Sequence, residues 1–138
     1  MEDTVSTTSD ARTTLAAFFD RFGSGDLAGV AALLDDKIDW NIPGSARVPW
    51  AGHRSTPEEV VTTLRTMGGA LTPQEFTVDR IVADGQDAVA VGRFTQKINE
   101  TGREFFSEFA VSVTVTEGRI TRYRIYEDSL AVAVAMDV

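Results

Sequence analysis

At 138 residues and 15.0 kDa, the chain has the length of one compact domain and too little for two. Apolar residues make up 43% and charged residues 25%, a globular balance that excludes collagen-like, coiled-coil and wholly disordered chains. A net charge of −8 repels phosphate backbones and anionic lipids, so neither nucleic acid nor a membrane surface is expected as a partner.

The absence of cysteine removes disulfides, thiolate nucleophiles and cysteine metal sites. A single histidine excludes a multi-histidine metal centre, and no pattern calls for a metal or any other cofactor. The opening residues carry no apolar export core, and the longest apolar run, residues 130–136, is too short to span a bilayer. A cytoplasmic location is expected.

Residues 1–9 are polar and rich in Ser and Thr, and are expected to be a disordered tail ahead of one domain over 10–138. Leu15, Phe18, Phe19 and Phe22 then recur at helical spacing and predict an amphipathic helix with an aromatic face. Gly23-Ser24-Gly25 ends it, and Asp26 is placed to cap a second helix whose buried stripe is Leu27, Val30, Ala31 and Leu34. A strand is expected over 37–42. Thr56-Pro57-Glu58-Glu59 is a capping box with proline at the first helical position, and it opens a third helix with Val60, Leu64, Met67 and Leu71 inward.

After Pro73 the period becomes two. Turn signals at Ala83-Asp84-Gly85-Gln86, Asn99-Glu100-Thr101-Gly102 and Glu117-Gly118 divide an antiparallel meander with strands over 75–82, 88–98, 103–116 and 119–127. Strands this long twist and curl. On 103–116 the alternation places Phe105, Phe109, Val111, Val113 and Val115 toward the helices, with Glu104, Glu108, Ser112 and Thr114 outward. The expected class is α+β: three N-terminal helices covering a strongly curved mixed or antiparallel sheet, with a concave pocket at its mouth.

Several strings carry a resemblance: Gly25-Asp26-Leu27, Asp39-Trp40-Asn41-Ile42-Pro43-Gly44, Trp50-Ala51-Gly52-His53, Ala83-Asp84-Gly85, Thr101-Gly102-Arg103, Gly118-Arg119-Ile120 and Tyr123-Arg124-Ile125-Tyr126-Glu127-Asp128. Together they make residues 11–128 similar to the SnoaL-like branch of the nuclear-transport-factor-2-like superfamily. That superfamily has a cone-shaped fold shared by polyketide cyclases, ketosteroid isomerase and limonene epoxide hydrolase. The resemblance implies a pocket for a small hydrophobic molecule, and a homodimer through the outer sheet face. One such fold serves many chemistries, so the candidate residues are weighed one by one.

The resemblance places a pocket aspartate at the end of the last long strand, where this chain has Asp128; partial burial there would raise its pKa toward the range useful for proton transfer. The competing reading is a cap for residues 129–136. Arg124 and Tyr126 share the face of Asp128 by period two, and Arg93 matches a pocket arginine of the epoxide hydrolase. A cation close to Asp128 would instead pull its pKa down, and a bulge would change whether Arg122 or Arg124 points inward. His53 is the one side chain that titrates near neutrality without perturbation, against the reading of a solvated loop histidine. Trp40, Trp50 and Phe18 are expected as walls or lid for a flat ligand, against plain core packing.

The departures are equally informative. The chain has Phe18, Ile42 and Val111 or Ala110 where the steroid isomerase pattern needs a tyrosine and an acidic pair, and Thr95 where the epoxide hydrolase has a second acid. The resulting expectation is an acid–base enzyme of cyclase or isomerase type on a hydrophobic oxygenated metabolite such as a polyketide intermediate. Asp128 would move the proton, with Arg93, Tyr126 or His53 assisting. A non-catalytic carrier, a dimerisation module and an epoxide hydrolase-like enzyme are the alternatives.

Overall fold

A computed structural model describes the backbone of residues 4–138 and the side chains of 10–138. The first helix, α1, spans Thr4–Gly23 and so begins inside the expected tail. No glycine or proline interrupts the sequence before Gly23, so nothing local stops the helix there. Residues 1–3 of that tail lie outside the described residues. Ala11, Leu15 and Phe18 are buried on one stripe of α1, and the Arg12 guanidinium donates to the Ile81 carbonyl.

The two caps read from sequence are present. Asp26 accepts from the Gly29 amide at 2.8 Å and starts α2, Leu27–Ala32. Thr56 Oγ1 accepts from the Glu59 amide at 3.1 Å while Glu59 Oε1 accepts from the Thr56 amide at 3.2 Å, opening α3, Pro57–Ala70. These bonds satisfy amides that have no partner within the helix.

Six strands form one sheet: β1 Leu34–Ile42, β2 Gly52–Arg54, β3 Leu71–Asp84, β4 Asp87–Ile98, β5 Glu104–Thr116 and β6 Arg119–Glu127, in the order β2-β1-β6-β5-β4-β3. Among the described strands only β1 and β6 pair in parallel. β3 begins before Pro73, earlier than expected; it is an edge strand, where a missing N–H is tolerated, and its register slips between Pro73 and Glu75. β2 was not foreseen, being too short for any period to register.

The curved, unclosed sheet holds α1 across β3, β4 and β5, while α3 packs on α2, β1 and β3. A fourth helix, α4, Ser129–Met136, docks on β5. It is tied to the β4–β5 turn by Thr101 Oγ1 donating to the Ala135 carbonyl at 2.8 Å and by Arg103 reaching the Val134 carbonyl at 3.2 Å. The inward set of β5 is the one the alternation gave, with Ser107 added to it.

Gly92 marks where the sheet is tightest. A Cβ there would collide with the Thr77 carbonyl oxygen of β3 and would sit 2.9 Å from Phe109 Cζ. Backbone cannot yield as a side chain does, so Gly92→Ala is expected to destabilise the fold by on the order of 2–4 kcal/mol. Urea denaturation measures this; an unchanged midpoint would show that β3 is not held against β4 at that place.

Candidate functional site

The inner face of the cone is nearly all apolar and largely aromatic. Phe18 on α1, Trp40 on β1, Trp50 in the loop before β2 and Phe105 and Phe109 on β5 enclose a chamber of about 60 Å³. Trp40 and Tyr123 are paired across the parallel β1–β6 ladder and stack face to face, with ring centroids 3.8 Å apart and planes 7° from parallel. Phe18 leans on both, its centroid 5.4 Å from that of Tyr123 and 6.2 Å from that of Trp40. Trp50 is held by its surroundings: the Arg54 guanidinium donates to Thr63 Oγ1 at 2.6 Å and to the Pro49 carbonyl at 3.3 Å, tying the loop to α3.

Five polar groups belong to residues that line this space: the Glu127 carboxyl, the Tyr123 phenol, the Gln96 amide and the indole N–H groups of Trp40 and Trp50. Glu127 ends β6 opposite Phe109. Burial pushes its carboxyl up from 4.5 to about 7, because removing a carboxylate from water without a counter-charge favours the neutral acid. Among the described residues no cation or hydrogen-bond donor reaches the Glu127 carboxyl. The Tyr123 phenol is pushed up as well, first by burial and then by the Glu127 carboxylate, and so stays protonated at neutral pH. Ser107, 2% exposed, fixes where the strand ends: its Oγ accepts from the Asp128 amide at 2.9 Å and donates to the Glu108 carbonyl at 2.6 Å.

The candidates read from sequence divide by face. Phe18, Trp40 and Trp50 line the chamber. Asp128, Tyr126, Arg124, Arg93 and His53 do not. Asp128 is exposed, and its carboxylate accepts from the Ala131 amide at 3.0 Å as the cap of α4. Tyr126 is 53% exposed on the outer face. Arg124 lies on that face too, bidentate on Asp39 at 2.9 and 3.0 Å, and Arg93 is exposed there with Asp79 at 2.8 Å and Glu75 at 3.8 Å. His53 is exposed on the edge strand β2, opposite Asn41.

The reason is the parity of β6. Arg124, Tyr126 and Asp128 do share one side, but Ile125 packs into the core and takes Tyr123 and Glu127 inward with it. The register slips at Thr121, so that Ile120 and Tyr123 are both buried. The apolar character of Ile125 was the available signal for Glu127. Gln96 was signalled in the same way by Phe94 and Ile98, its inward neighbours on β4.

Fold and chamber together define a cone-shaped α+β domain of the nuclear-transport-factor-2-like type. Residues 15–123 match the family model of the SnoaL-like domain, and the chain belongs to that family. Glu127 and Asp128 lie beyond the matched segment. Among solved structures the chain is similar to a nuclear-transport-factor-2-like protein of Burkholderia xenovorans, with 28% identity, 93% of this chain and 96% of that one covered and a TM-score of 0.82. A second, from Burkholderia thailandensis, is 26% identical with 91% and 96% covered and a TM-score of 0.82. An LEH-like epoxide hydrolase of Mycobacterium tuberculosis has 23% identity, 95% and 98% coverage and a TM-score of 0.71, a likeness of fold alone. No functionally curated protein matches the chain. No described helix is long and apolar enough to cross a membrane, and no described cluster of three His, Cys, Asp or Glu is placed to hold a metal ion.

Because Glu127 rises from 4.5 to about 7 on folding, the folded state retains a proton that the unfolded chain releases between those values. Its contribution to stability is therefore present in acid and lost as pH rises through that window. Relative to Glu127→Gln, the wild type is expected to lose on the order of 2 kcal/mol between about pH 5 and 8, after allowance for partial exposure. Urea denaturation of both proteins at the two pH values checks this; a constant difference would contradict it.

Proposed function

We propose that this domain is an acid–base enzyme acting on a small hydrophobic oxygenated molecule, with Glu127 as the proton-transfer group. The observation that carries the proposal is a carboxyl at the chamber wall whose pKa burial sets near 7, where acid and base forms are both available at neutral pH. In its ionised form Glu127 takes a proton from a carbon beside a substrate carbonyl. The electron pair of that C–H bond moves into an enolate whose oxygen accepts a hydrogen bond from the neutral Tyr123 phenol. Returning the proton to a different carbon completes an isomerisation; attack of the enolate carbon on a second carbonyl of the same molecule, whose π electrons move onto its oxygen and take the proton back from Glu127, completes a cyclisation. A polyketide-type substrate is one member of this class.

Epoxide hydrolysis through an arginine is less well supported, because Arg93 stands on the outer face with Asp79 and Glu75. A non-catalytic carrier is the second reading. What favours it is that, among the described lining residues, Glu127 has no second acid or base of ordinary pKa beside it. A homodimer through the outer sheet face belongs to the same proposal, supported by the exposed side chains of Phe106, Tyr126 and Val82, at 56%, 53% and 52%.

The test is the conversion of the β,γ-unsaturated ketone 4-penten-2-one to its conjugated isomer, followed by ultraviolet absorbance. Wild-type protein is expected to accelerate it with a rate that rises with pH through about 7. Glu127→Gln is expected to lose about 10²–10⁴-fold, and Asp128→Asn to stay within about twofold. A larger loss at Asp128 than at Glu127 would overturn the assignment, and ketone returned unchanged by wild type would favour the carrier.

A further inference from the structure

The chamber at Glu127 is the inner end of a longer space. Outside its 60 Å³ is an open vestibule of about 320 Å³ between the end of α1, α3 and the β3–β4 edge. The two spaces share Phe19, Phe22, Leu64, Met67, Phe76 and Gln96, so they meet along one neck. Phe76 stands at its rim, 44% exposed. Among the described lining residues the vestibule has no charged side chain, and Gln96 is its one polar side chain. The vestibule is therefore built for hydrocarbon.

The charge in this space is of one sign. Glu127 lines the chamber and also a small recess between α4 and the loop ahead of β2. Among the described lining residues of either, the one other titratable group is Tyr123, which faces it as a neutral phenol. The one side-chain N or O among the described residues that is both sealed from solvent and without a partner is Trp40 Nε1. The unpartnered Glu127 oxygens are therefore not sealed, and a water-sized group reaches them. An ion pair made there gains from the low-dielectric wall and relieves a carboxylate that the fold leaves without a counter-charge. An anionic head meets that carboxylate with no described cation between them, and an uncharged head leaves it unbalanced. The net charge of −8 also draws cations toward the molecule.

We infer that chamber and vestibule form one site for an aliphatic ammonium ion, its head donating to the Glu127 carboxylate and its hydrocarbon body passing Gln96 into the vestibule. The head gives up hydration that one carboxylate restores only in part. The body offsets this, since each methylene buried against the vestibule wall tightens binding about threefold to fourfold. The inference goes beyond the proton-transfer reading. Both need Glu127 open to the chamber, but holding an ammonium ion requires no turnover, and an ion held there occupies the base.

The experiment is calorimetric titration with octylamine, 1-octanol and octanoate at about pH 8, where Glu127 is mostly ionised and an alkylammonium keeps its proton. Octylamine is expected to bind, and the alcohol and the acid to bind about tenfold or more weakly. Octylamine is expected to bind about fivefold to tenfold more tightly at about pH 8 than at about pH 6, as Glu127 loses its proton between them, with 1-octanol unchanged. Glu127→Gln is expected to bring octylamine to the level of 1-octanol and to remove the pH dependence, because it keeps the shape of the side chain and removes the charge. Gly68 lines only the vestibule, and a Cβ added to it meets nothing within 4 Å. Gly68→Trp therefore fills the vestibule from a helix that tolerates the change. It is expected to weaken octylamine and 1-octanol alike, about tenfold or more, while leaving the pH dependence of octylamine in place. No octylamine binding, alcohol or acid bound as tightly as the amine, a preference for the amine that survives in Glu127→Gln, or full affinity in a folded Gly68→Trp protein would each overturn the inference. Octylamine bound in this pattern by a protein that leaves 4-penten-2-one unchanged overturns the catalytic reading alone; isomerisation that is lost in Glu127→Gln, with octylamine unbound, overturns the ammonium site alone.

Discussion

Taking a carboxylate out of water without a cation costs several kcal/mol, and a protein relieves that cost by pairing the group or by neutralising it. At Glu127 the fold does the second. The cations of β6 are turned away: Arg124 leaves the neighbouring position for Asp39 across the outer face, and Arg122 is exposed. Had Arg124 faced inward, it would have drawn the Glu127 pKa down and made the pair an ordinary ion bridge. The same β1–β6 ladder that Arg124 and Asp39 clamp outside stacks Trp40 on Tyr123 inside. One strand's parity thus supplies both the unpaired acid and the wall beside it.

Much of this was legible before any coordinates. The caps at Asp26 and Thr56 with Glu59 are chemical signals local to a few residues, and they hold as read. The alternation of Phe105, Phe109, Val111, Val113 and Val115 gave the core face of β5 because that strand is apolar on one side throughout. Phe18, Trp40 and Trp50 were legible as chamber walls because bulky aromatics on inward positions have few other places to go.

The carboxyl that lines the chamber stands one residue from the expected one, and in a strand one residue is the whole difference between inside and outside. Reading β6 from its polar members selects Arg124, Tyr126 and Asp128. Reading it from Ile125 selects Tyr123 and Glu127, and the packing of Ile125 against the core decides between them. The slip at Thr121 conceals this by putting buried Ile120 and Tyr123 out of step. β2 and the division into chamber and vestibule were not legible, since the first is three residues long and the second depends on how side-chain volumes fill a cone. The chamber is narrow, about 60 Å³, because bulky aromatic side chains line it.

Burial, with no described counter-charge, holds Glu127 poised near neutrality. The most direct measurement is the ¹³C shift of the Glu127 side-chain carboxyl followed through a pH titration, assigned by comparison with Glu127→Gln. The expected midpoint is about 7; a midpoint at the ordinary 4.5 would contradict the account.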